Sequence, residues 1–401
     1  MTIGLIREGK NPPDKRVPLT PKQCVEIQNS FGCQVVIQPS AIRAYADDEY
    51  RALGLTLSED MAHCDVLLGV KEVPKHDLIP DKKYFFFSHT YKKQSYNRML
   101  LNEILKKNIQ LIDYEMLTNT NGTRVVAFGR YAGIVGAYNG LRGYGLKTKR
   151  YSLKSAHKCH DRVDMNAELN KLDLPNNFKI VITGKGRVAS GAIETLNKAG
   201  ITRVDSEDFL TKEFDHPVYT DLTVLHYNKR RDGKPVIKLD FYTNPTEFDS
   251  KFMQYAKVAD LYIACHFWDN KAPFIFSRKD AKSSDFNIQY VADVSCDIDG
   301  PVASTLRPST IAEPFYGYDP STEKEVAHES ENSIGVMAVD NLPCELPRDA
   351  SIDFGRDLID HVIPHLFNND PEKVIWKASE TKNGKLTPHF AYLQAYVNGE
   401  E

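Results

Sequence analysis

A strand that runs directly into a glycine-rich turn and then into a helix constrains the fold more than any other feature of this sequence. The apolar run Phe178–Thr183 is followed at once by Gly184–Ala189, and a helical pattern continues over Val188–Lys198. This order opens a β-α-β unit, in which consecutive strands are parallel. The middle of the chain is therefore predicted to be an α/β domain. Further strands are predicted at Arg203–Asp205, Leu222–Leu225, Leu261–Ala264, Tyr290–Val294 and Val336–Val339.

The turn itself, GKGRVA, fits the fingerprint of a dinucleotide-binding loop with alanine in the third small position. The first glycine allows the tight turn, the second lets the backbone approach a pyrophosphate, and the alanine lets the helix pack on the strand. Asp205 follows about twenty residues later, where an acidic residue at the end of the next strand binds the adenosine ribose. An ordinary strand–helix turn is the alternative interpretation. The predicted cofactor-binding residues are Gly184, Gly186, Arg187, Val188, Ala189 and Asp205.

The amino-terminal part of the chain alternates strand and helix signals in the same way. Thr20, Pro21 and Gln23 supply an N-cap, a first-turn proline and a capping-box residue for a helix that should stop at Gly32. The chain has 401 residues, which suits two or three domains. The expected fold class is α/β, with two domains on parallel sheets. Amino-terminal strands are predicted at Ile3–Ile6, Val35–Ile37, Asp65–Val70, Tyr84–Ser88 and Ile109–Asp113.

A helix predicted over Ala127–Gly145 carries glycines along one face. Each glycine costs about 1 kcal/mol relative to alanine in a helix interior, so this face needs a close contact that compensates. A glycine-rich linker is the alternative. In either case a domain junction is expected near Ala137. The glycines of this face are Gly129, Gly133, Gly136 and Gly140.

Three ionisable residues of the amino-terminal part each follow a predicted strand. They are Lys71, His89 and Glu115. Ligands of open parallel sheets bind outside the carboxyl ends of the strands, so these groups can converge on one site. Each residue alone fits a solvated loop charge, and only the three placements together favour a site. Arg16 and Arg124 could add guanidinium groups for carboxylates, although each alone fits a surface arginine.

Composition excludes several classes of protein. The net charge of −3 and the absence of a long cationic run argue against nucleic acid as a partner, and the apolar stretches are too short for a membrane span. The N-terminus lacks a signal-peptide pattern, so a cytoplasmic location is expected. Seven cysteines without a Cys-x-x-Cys pair argue against a disulfide framework. The segment His157–His160 is interpreted as a solvated turn, and no metal is predicted.

Several motifs of the amino-terminal part resemble those of lysine-forming saccharopine dehydrogenase. They are Arg7-Glu8, Arg16–Pro21, Gly69–Lys71, Phe87–Lys92 and Arg124–Gly129. The segments Val339–Pro343 and Leu346-Pro347 resemble the same family and, more distantly, alanine dehydrogenase and transhydrogenase. With Ile311–Phe315 included, the strongest similarity is to the lysine–ketoglutarate reductase portion of the bifunctional lysine-degrading enzyme. The resemblance runs in order from about Leu5 to Phe367.

The resemblance implies two Rossmann-like domains with an interdomain cleft. Residues 1–137 with 341–401 would form the substrate domain, and residues 138–340 the dinucleotide-binding domain. It also implies reversible oxidative cleavage of saccharopine to lysine and 2-oxoglutarate with a nicotinamide cofactor. In these terms Lys71 and His89 match the acid–base pair and Glu115 the carboxylate that tunes it. Substrate-binding residues would be Arg16, Arg124 and Lys92, and Asp340 would lie near the cofactor.

Two departures from the family pattern stand out. The glycine loop carries the cationic residues Lys185 and Arg187, and the polar stretch Thr211–Asp249 is longer than in compact relatives. The glutamate-forming half of the bifunctional enzyme is absent from this sequence, so one reaction is implied.

Alternatives remain open at this stage. An alanine or other amino-acid or opine dehydrogenase on the same fold is one, and a cofactor-binding sensor without turnover is another. Asp205 favours NAD, because a carboxylate binds ribose hydroxyls and repels the extra phosphate of NADP. Arg203 and Lys212 leave NADP possible. The expected partners are small molecules, and the sequence leaves open whether the protein is a monomer or a homo-oligomer.

Overall fold

A computed structural model describes residues 1–11 and 13–400, and its chain divides into two compact units. The first unit contains residues 1–128 and the chain from Pro347 onward, and the second contains residues 129–346. The predicted junction, Ala137, lies inside a continuous helix that runs from Gly129 to Thr148. The chain passes from the first unit to the second at the first residue of this helix, Gly129. Residues 129–137 and 341–346 therefore lie in the other unit from the one that the sequence suggested.

The first unit is built on a six-stranded sheet in which every neighbouring pair is parallel. The strand order is β3-β2-β1-β4-β5-β6. Apolar side chains cover both faces of this sheet, as expected for parallel strands. The strands are β1 (Thr2–Leu5), β2 (Gln34–Ile37), β3 (Thr56–Leu57), β4 (Val66–Leu68), β5 (Lys83–Phe86) and β6 (Gln110–Asp113), and the helices are α1 (Pro21–Phe31), α2 (Asp47–Arg51) and α3 (Arg98–Lys106).

Local signals explain where α1 begins and ends. The Thr20 side chain accepts a hydrogen bond from the backbone N–H of Gln23, and the Gln23 side chain returns one to the Thr20 backbone. Gly32 ends the helix with φ 62°, a left-handed conformation that glycine adopts without strain. These features confirm the predicted capping box and stop. Helix α3 begins at Arg98, directly after a separate 3-10 turn over residues 95–97.

The second unit contains an eight-stranded mixed sheet with the order β15-β14-β16-β13-β12-β7-β9-β8. Its strands are β7 (Lys179–Thr183), β8 (Thr202–Arg203), β9 (Val218–Leu222), β12 (Leu261–Ala264), β13 (Tyr290–Asp293), β14 (Phe315–Asp319), β15 (Lys324–Val326) and β16 (Ile334–Met337), while β10 (Asn228–Arg230) and β11 (Phe248–Ser250) form a separate antiparallel pair. Its helices are α4 (Gly129–Thr148), α5 (Arg162–Glu168), α6 (Arg187–Lys198), α7 (Ser206–Thr211), α8 (Val224–Tyr227), α9 (Lys238–Thr243), α10 (Met253–Ala256) and α11 (Arg278–Ala281). In the large sheet β14 pairs antiparallel with both β15 and β16, and the other neighbouring strands pair parallel.

The predicted strand Leu222–Leu225 is wrong. The strand ends at Leu222, and the Thr223 side chain accepts the N–H of Leu225 to cap α8. The chain then returns to the first unit through α12 (Pro347–His361), α13 (Ile363–Phe367), α14 (Val374–Ala378), the strands β17 (Thr381–Lys382) and β18 (Lys385–Leu386), and α15 (Gln394–Asn398). Helix α12 ends at His361 and α13 begins at Ile363 with Pro364 in its first turn, because a proline cannot continue the preceding helix.

The glycine face of α4 packs against α6 at backbone distance. A Cβ on Gly133 would lie 1.8 Å from the Val188 carbonyl oxygen, and one on Gly191 would lie 1.9 Å from the Arg130 carbonyl oxygen. Both distances are far below van der Waals contact, so each helix needs glycine where it meets the other. This close contact is the compensation that the sequence pattern requires.

We expect Gly133→Ala to destabilise the protein although alanine favours helix. Its methyl group meets backbone atoms of α6 that cannot rotate away, and overpacking of this kind costs about 1–3 kcal/mol. Gly129→Ala is the matched control, since its Cβ would meet only side chains, at 3.4 Å and beyond, before it reaches backbone at 4.0 Å. Urea denaturation curves should shift to lower midpoint for Gly133→Ala and stay in place or rise for Gly129→Ala. Equal midpoints for the two variants would contradict the packing argument.

Candidate functional site

The turn after β7 has the geometry of a phosphate-binding loop. Gly184 has φ 108°, and a Cβ there would lie 2.4 Å from the Cys265 carbonyl oxygen, so only glycine fits. A Cβ on Gly186 would meet nothing within 4 Å, which leaves its backbone approachable. Helix α6 begins at Arg187, and Ala189 is fully buried at the contact between helix and sheet. A helix amino terminus behind such a turn favours an anion.

A cavity of about 650 Å³ opens in front of this turn, within the second unit. It is lined by the segments that follow β7, β9, β12 and β13, including Thr223, His266 and Asp297, and by Lys238 and Tyr242 of α9. The carboxyl ends of parallel strands are where α/β domains bind dinucleotides. The volume suits such a ligand. Burial, together with the nearby Asp293 charge, raises the pKa of Asp297 to about 6.

Asp205 does not occupy the position that the sequence predicted. Strand β8 ends at Arg203, and the Asp205 side chain accepts the N–H of Glu207 as the N-cap of α7. It is exposed and does not line the cavity. Strand β9, which the sequence placed wrongly, separates β8 from β7. The strand beside β7, β9, carries a different acidic residue near its carboxyl end, Asp221.

Asp221 is buried at the carboxyl end of β9 and carries two cations. The Lys185 ammonium contacts Asp221 Oδ2, and Arg203 Nε donates to Oδ1 at 2.5 Å. Both carboxylate oxygens are thus bonded, while the two cations extend toward solvent. Burial and the Arg203 charge lower the pKa of Lys185. The cluster has one net positive charge where a ribose-binding carboxylate was expected.

Of the other predicted cofactor residues, some line the cavity and one does not. Arg187 and Val188 line the cavity. Asp340 is exposed beyond the end of β16 and is not among the lining residues. Burial raises the pKa of the Cys296 thiol to about 12, and the charges of Asp293 and Asp340 act in the same direction. Asp340 is therefore near the segment after β13, which also contributes to the cavity.

In the first unit, Lys71 lies in a group of charged side chains that the sequence only partly indicated. The backbone N–H groups of Val70 and Lys71 donate to the two oxygens of Glu8, at 2.7 and 2.8 Å. Burial, with the charge of Asp14, raises the pKa of Glu8 to about 8. Glu8 follows β1 as Lys71 follows β4, so the strand-end rule applied to β1 would have found it.

Arg16 is paired with Asp14 rather than exposed for a ligand. Its Nε and Nη2 donate to the two Asp14 oxygens at 3.0 and 2.5 Å, and both residues are 3% exposed. Burial raises the pKa of Asp14, but the charge and hydrogen bonds of Arg16 outweigh it and lower that pKa to about 2. The guanidinium lies over the Phe128 ring at 4.1 Å. Its contact with a substrate carboxylate stays a prediction.

His89 is oriented by a carboxylate that the sequence did not indicate, Glu72. His89 Nδ1 lies 2.8 Å from Glu72 Oε1, and the other Glu72 oxygen accepts from Lys10 Nζ at 2.7 Å. Burial raises the pKa of Glu72, but the hydrogen bonds from His89 and Lys10 outweigh it and lower that pKa to about 2. A permanently charged carboxylate on Nδ1 fixes the ring and leaves Nε2 as the nitrogen for proton transfer.

Glu115 contacts cations instead of the histidine. Its carboxylate lies 3.0 Å from Lys92 Nζ and 3.5 Å from Arg124 Nη1. Burial raises its pKa, but these charges and hydrogen bonds have the larger combined effect and lower it. Arg124 Nε also donates to the Val126 carbonyl oxygen at 2.8 Å. The structure thus brings Lys92, Glu115 and Arg124 together, and places His89 with Glu72.

A buried polar cluster bonds the backbone on which His89 and Glu115 lie. Asp113 accepts N–H bonds from Ser88, His89 and Glu115, at 2.8, 3.3 and 2.7 Å. Glu380 reaches the same place from the carboxyl-terminal segment and bonds Thr90 at 2.5 Å and Ser88 at 3.2 Å. His89 is held with φ 55°, a conformation that costs energy for a non-glycine residue. The cluster fixes the backbone that presents His89.

Glu380 should make stability depend on pH. Burial and the Asp113 charge raise its pKa from 4.5 to about 8, so the folded protein holds a proton that the unfolded chain releases. Its contribution is complete below about pH 4.5 and is lost as pH rises toward 8, with a slope of up to about 1.4 kcal/mol per pH unit. Glu380→Gln cannot ionise and should lose less stability between pH 5 and 9.

Chemical denaturation at several pH values tests this expectation. Exposed Glu331→Gln is the control and should follow the wild type at every pH. A Glu380→Gln curve parallel to the wild type would show that Glu380 is ionised in the folded protein.

The chain is similar in sequence to several known proteins. Residues 4–135 match the family described as alanine dehydrogenase/PNT, N-terminal domain. The α-aminoadipic semialdehyde synthase, mitochondrial, of Mus musculus is 31% identical over 448 residues, covering 100% of this chain and 48% of that protein. Saccharopine dehydrogenase (NAD+, L-lysine-forming) of Emericella nidulans is 23% identical, with 94% of each chain covered.

Solved structures agree on the fold. An L-alanine dehydrogenase superimposes with a TM-score of 0.67 at 17% identity, covering 100% of this chain and 99% of that one. A transhydrogenase from Sinorhizobium meliloti gives a TM-score of 0.59 at 11% identity, with 96% and 100% covered.

The chain carries a segment, residues 4–135, that matches the amino-terminal domain of the alanine dehydrogenase/PNT family, and it shares the fold of the solved L-alanine dehydrogenase and transhydrogenase. It is homologous to α-aminoadipic semialdehyde synthase and to fungal saccharopine dehydrogenases, which confirms the resemblance seen in the motifs. It spans about half the length of the synthases that it matches. Among the described residues, no helix has the length and apolar character needed to cross a membrane.

Proposed function

We propose that this protein interconverts saccharopine with lysine and 2-oxoglutarate, using a nicotinamide cofactor. The observation that carries the proposal is the set of groups at the carboxyl edge of the first sheet. Lys71, the His89–Glu72 pair and the Lys92–Glu115–Arg124 cluster all follow strands of that sheet or lie beside them. The proposal assigns proton transfer and substrate binding to the first unit, and dinucleotide binding to the second.

The proposed chemistry needs a proton donor and acceptor at several steps. The cofactor, when bound, accepts a hydride from the glutaryl α-carbon of saccharopine. The resulting imine takes up water, and the carbinolamine collapses to lysine and 2-oxoglutarate. His89 Nε2 would remove the proton of the attacking water and return it to the departing lysine nitrogen, with Lys71 as its partner. The Glu72 carboxylate stabilises the imidazolium that forms on His89 between these steps.

The cations of the first unit suit a substrate with several carboxylates. Saccharopine and 2-oxoglutarate carry more carboxylates than alanine or pyruvate. Arg124 and Lys92 share one carboxylate, Glu115, so the three side chains keep a net positive charge. An arginine beside a lysine can bind a carboxylate through charge-assisted hydrogen bonds.

The proposed cofactor is NADP(H), which revises the preference that Asp205 suggested. Lys185 and Arg203 flank Asp221 near the carboxyl end of β9, beside β7, and Lys185 also lines the cavity, so this net positive charge would suit a 2′-phosphate. Asp205 caps a helix away from the cavity, so its expected repulsion of the phosphate loses its structural basis.

A substrate comparison tests the proposed reaction. Oxidation of reduced cofactor should be fast with lysine plus 2-oxoglutarate and at background level with pyruvate plus ammonia. The reverse order would identify an alanine dehydrogenase. Cofactor binding without turnover on either pair would identify a sensor.

Arg124→Ala should raise the KM for 2-oxoglutarate about tenfold or more, because charge-assisted hydrogen bonds contribute roughly 1.5–3 kcal/mol. The control is Arg51→Ala, which removes an exposed arginine whose one ion pair within residues 1–11 and 13–400 is with its helical neighbour Asp48. Steady-state kinetics with lysine held saturating measure the effect. An unchanged KM in Arg124→Ala would remove this residue from the substrate site.

A further inference from the structure

A second cavity, of about 660 Å³, lies within the first unit at the opposite edge of the sheet from His89. Lys83 and Gln110, the first residues of β5 and β6, form one wall. The carboxyl-terminal segment from His365 to Thr387 forms the other walls. Because His89 and Glu115 follow the carboxyl ends of these same strands, the two sites are separated by the length of the strands.

The positions of two lysines in this cavity follow from strand register. Lys83 pairs with Gln110 across β5 and β6. Ser379 bridges Ile112 in the antiparallel sense on the other side of β6, and this register brings Lys382 beside the start of β6. Neighbouring strands are about 4.8 Å apart, so the two lysine backbones are separated by roughly 10 Å. Both lysines line the cavity, so their flexible side chains can approach one anion there.

The charge of the cavity is positive. Neither Lys83 nor Lys382 forms an ion pair or a side-chain hydrogen bond within residues 1–11 and 13–400. The only carboxylate in the lining, Asp370, accepts N–H bonds from Val374 and Trp376 at 2.7 and 2.8 Å. Its Oδ1 also lies 3.3 Å from His365 Nδ1. Asp370 is thus already used locally, and the lysine charges remain for a ligand.

An aromatic ring lines the cavity. Trp376 is 39% exposed and lines the cavity with Leu366 and buried Ile375, and its ring meets the His389 ring edge-to-face at 5.4 Å between centroids. A half-exposed indole beside aliphatic side chains is a surface on which a planar ring can stack, a contact of about 1–3 kcal/mol for a nucleobase. The amides of Asn369 and Asn383 at the rim can hydrogen-bond a polar ring edge.

We propose that this cavity binds a small anion that carries a flat ring, of the mononucleotide class. The ring would stack on Trp376, and the phosphate would lie between Lys83 and Lys382. Such a site combines an apolar wall with a few polar groups, as small-molecule sites do. It is independent of the proposed reaction, because it uses none of the groups assigned to substrate or cofactor.

The two tryptophans of the chain allow a direct test. Trp268 lines the first cavity and Trp376 the second, so Trp268→Phe leaves Trp376 as the single tryptophan, and excitation at a wavelength that tyrosine does not absorb reports on the proposed site. AMP titrated into the full-length Trp268→Phe protein should change Trp376 emission saturably in the micromolar to low millimolar range. In the same background, Lys83→Gln and Lys382→Gln should each raise the half-saturating concentration about tenfold. Exposed Lys22→Gln is the control and should leave it unchanged.

Three further outcomes are decisive. Adenosine lacks the anion and should bind at least tenfold more weakly than AMP, and inorganic phosphate lacks the ring and should give no saturable change. In the Trp376→Phe protein, Trp268 emission reports on the first cavity. Adding Lys83→Gln or Lys382→Gln to this protein should leave the change of Trp268 emission with AMP unaltered. No saturable change of Trp376 emission with AMP, or equal affinity in the lysine variants, would overturn the proposal.

Discussion

Lys71→Met and His89→Gln should each lower turnover with saccharopine by about 10²–10⁴-fold, the range that positioned acid–base groups contribute. In the proposed reaction, water addition and carbinolamine collapse each require a proton to move, and a positioned acid–base group moves it faster than solvent does. His89→Gln keeps a hydrogen-bonding side chain beside Glu72 but cannot carry a proton. The affinity for the cofactor should change little, because the glycine loop belongs to the second unit.

Matched surface variants separate this loss from general damage. Lys106→Met on α3 and His76→Gln both alter exposed side chains of the same unit and should keep wild-type turnover. Turnover near the wild-type value in Lys71→Met and His89→Gln would remove both residues from the chemistry. A loss confined to the KM would assign them to substrate binding instead.

The second large effect concerns the choice of cofactor. Lys185→Gln and Arg203→Gln should each weaken NADPH binding by about 10–100-fold, since each removes a charge-assisted hydrogen bond to the 2′-phosphate. NADH lacks this phosphate and should lose much less. Glutamine is chosen because it can still donate to Asp221, which is buried and would otherwise lose a partner.

Titration calorimetry with both cofactors measures the ratio of the two affinities. Lys198→Gln, an exposed substitution at the end of α6, is the control. Asp205→Ala should leave the ratio unchanged, because Asp205 caps α7. A wild type that prefers NADH, together with a loss of that preference in Asp205→Ala, would restore the interpretation drawn from the sequence.

Much of the architecture can be read from local patterns in this chain. The capping box at Thr20 and Gln23, the stop at Gly32 and the break at Pro364 each depend on residues close in sequence. The glycine face of α4 indicates a close helix contact because nothing else would offset so many glycines in one helix. These patterns involve residues close in sequence, so they can be recognised without knowledge of the tertiary fold.

The pairing of charged groups could not be predicted in the same way. The strand-end rule locates Lys71, His89 and Glu115, but it does not say which carboxylate contacts which cation. Glu72 rather than Glu115 lies on His89, and Glu380 joins the cluster from a segment almost 300 residues away. Such contacts depend on side-chain directions and on long-range packing, neither of which leaves a periodic signal.

The error at Asp205 has a topological cause. The sequence rule assumes that the strand after the glycine-loop helix pairs with the first strand of the domain. Here that strand, β8, has two residues and lies at the sheet edge, while β9 takes the inner position and contributes Asp221. The polar composition of β9, with Thr220 and Asp221 inside it, hid this strand from a search for apolar runs.

The most direct test of the central claim is the fate of the transferred hydride. The protein should be incubated with reduced cofactor that carries two deuterium atoms at C4, once with lysine and 2-oxoglutarate and once with pyruvate and ammonia, and the products analysed by mass spectrometry. The account predicts saccharopine with one deuterium, located on the glutaryl α-carbon. Deuterated alanine from pyruvate and ammonia, with no label in saccharopine, would contradict it.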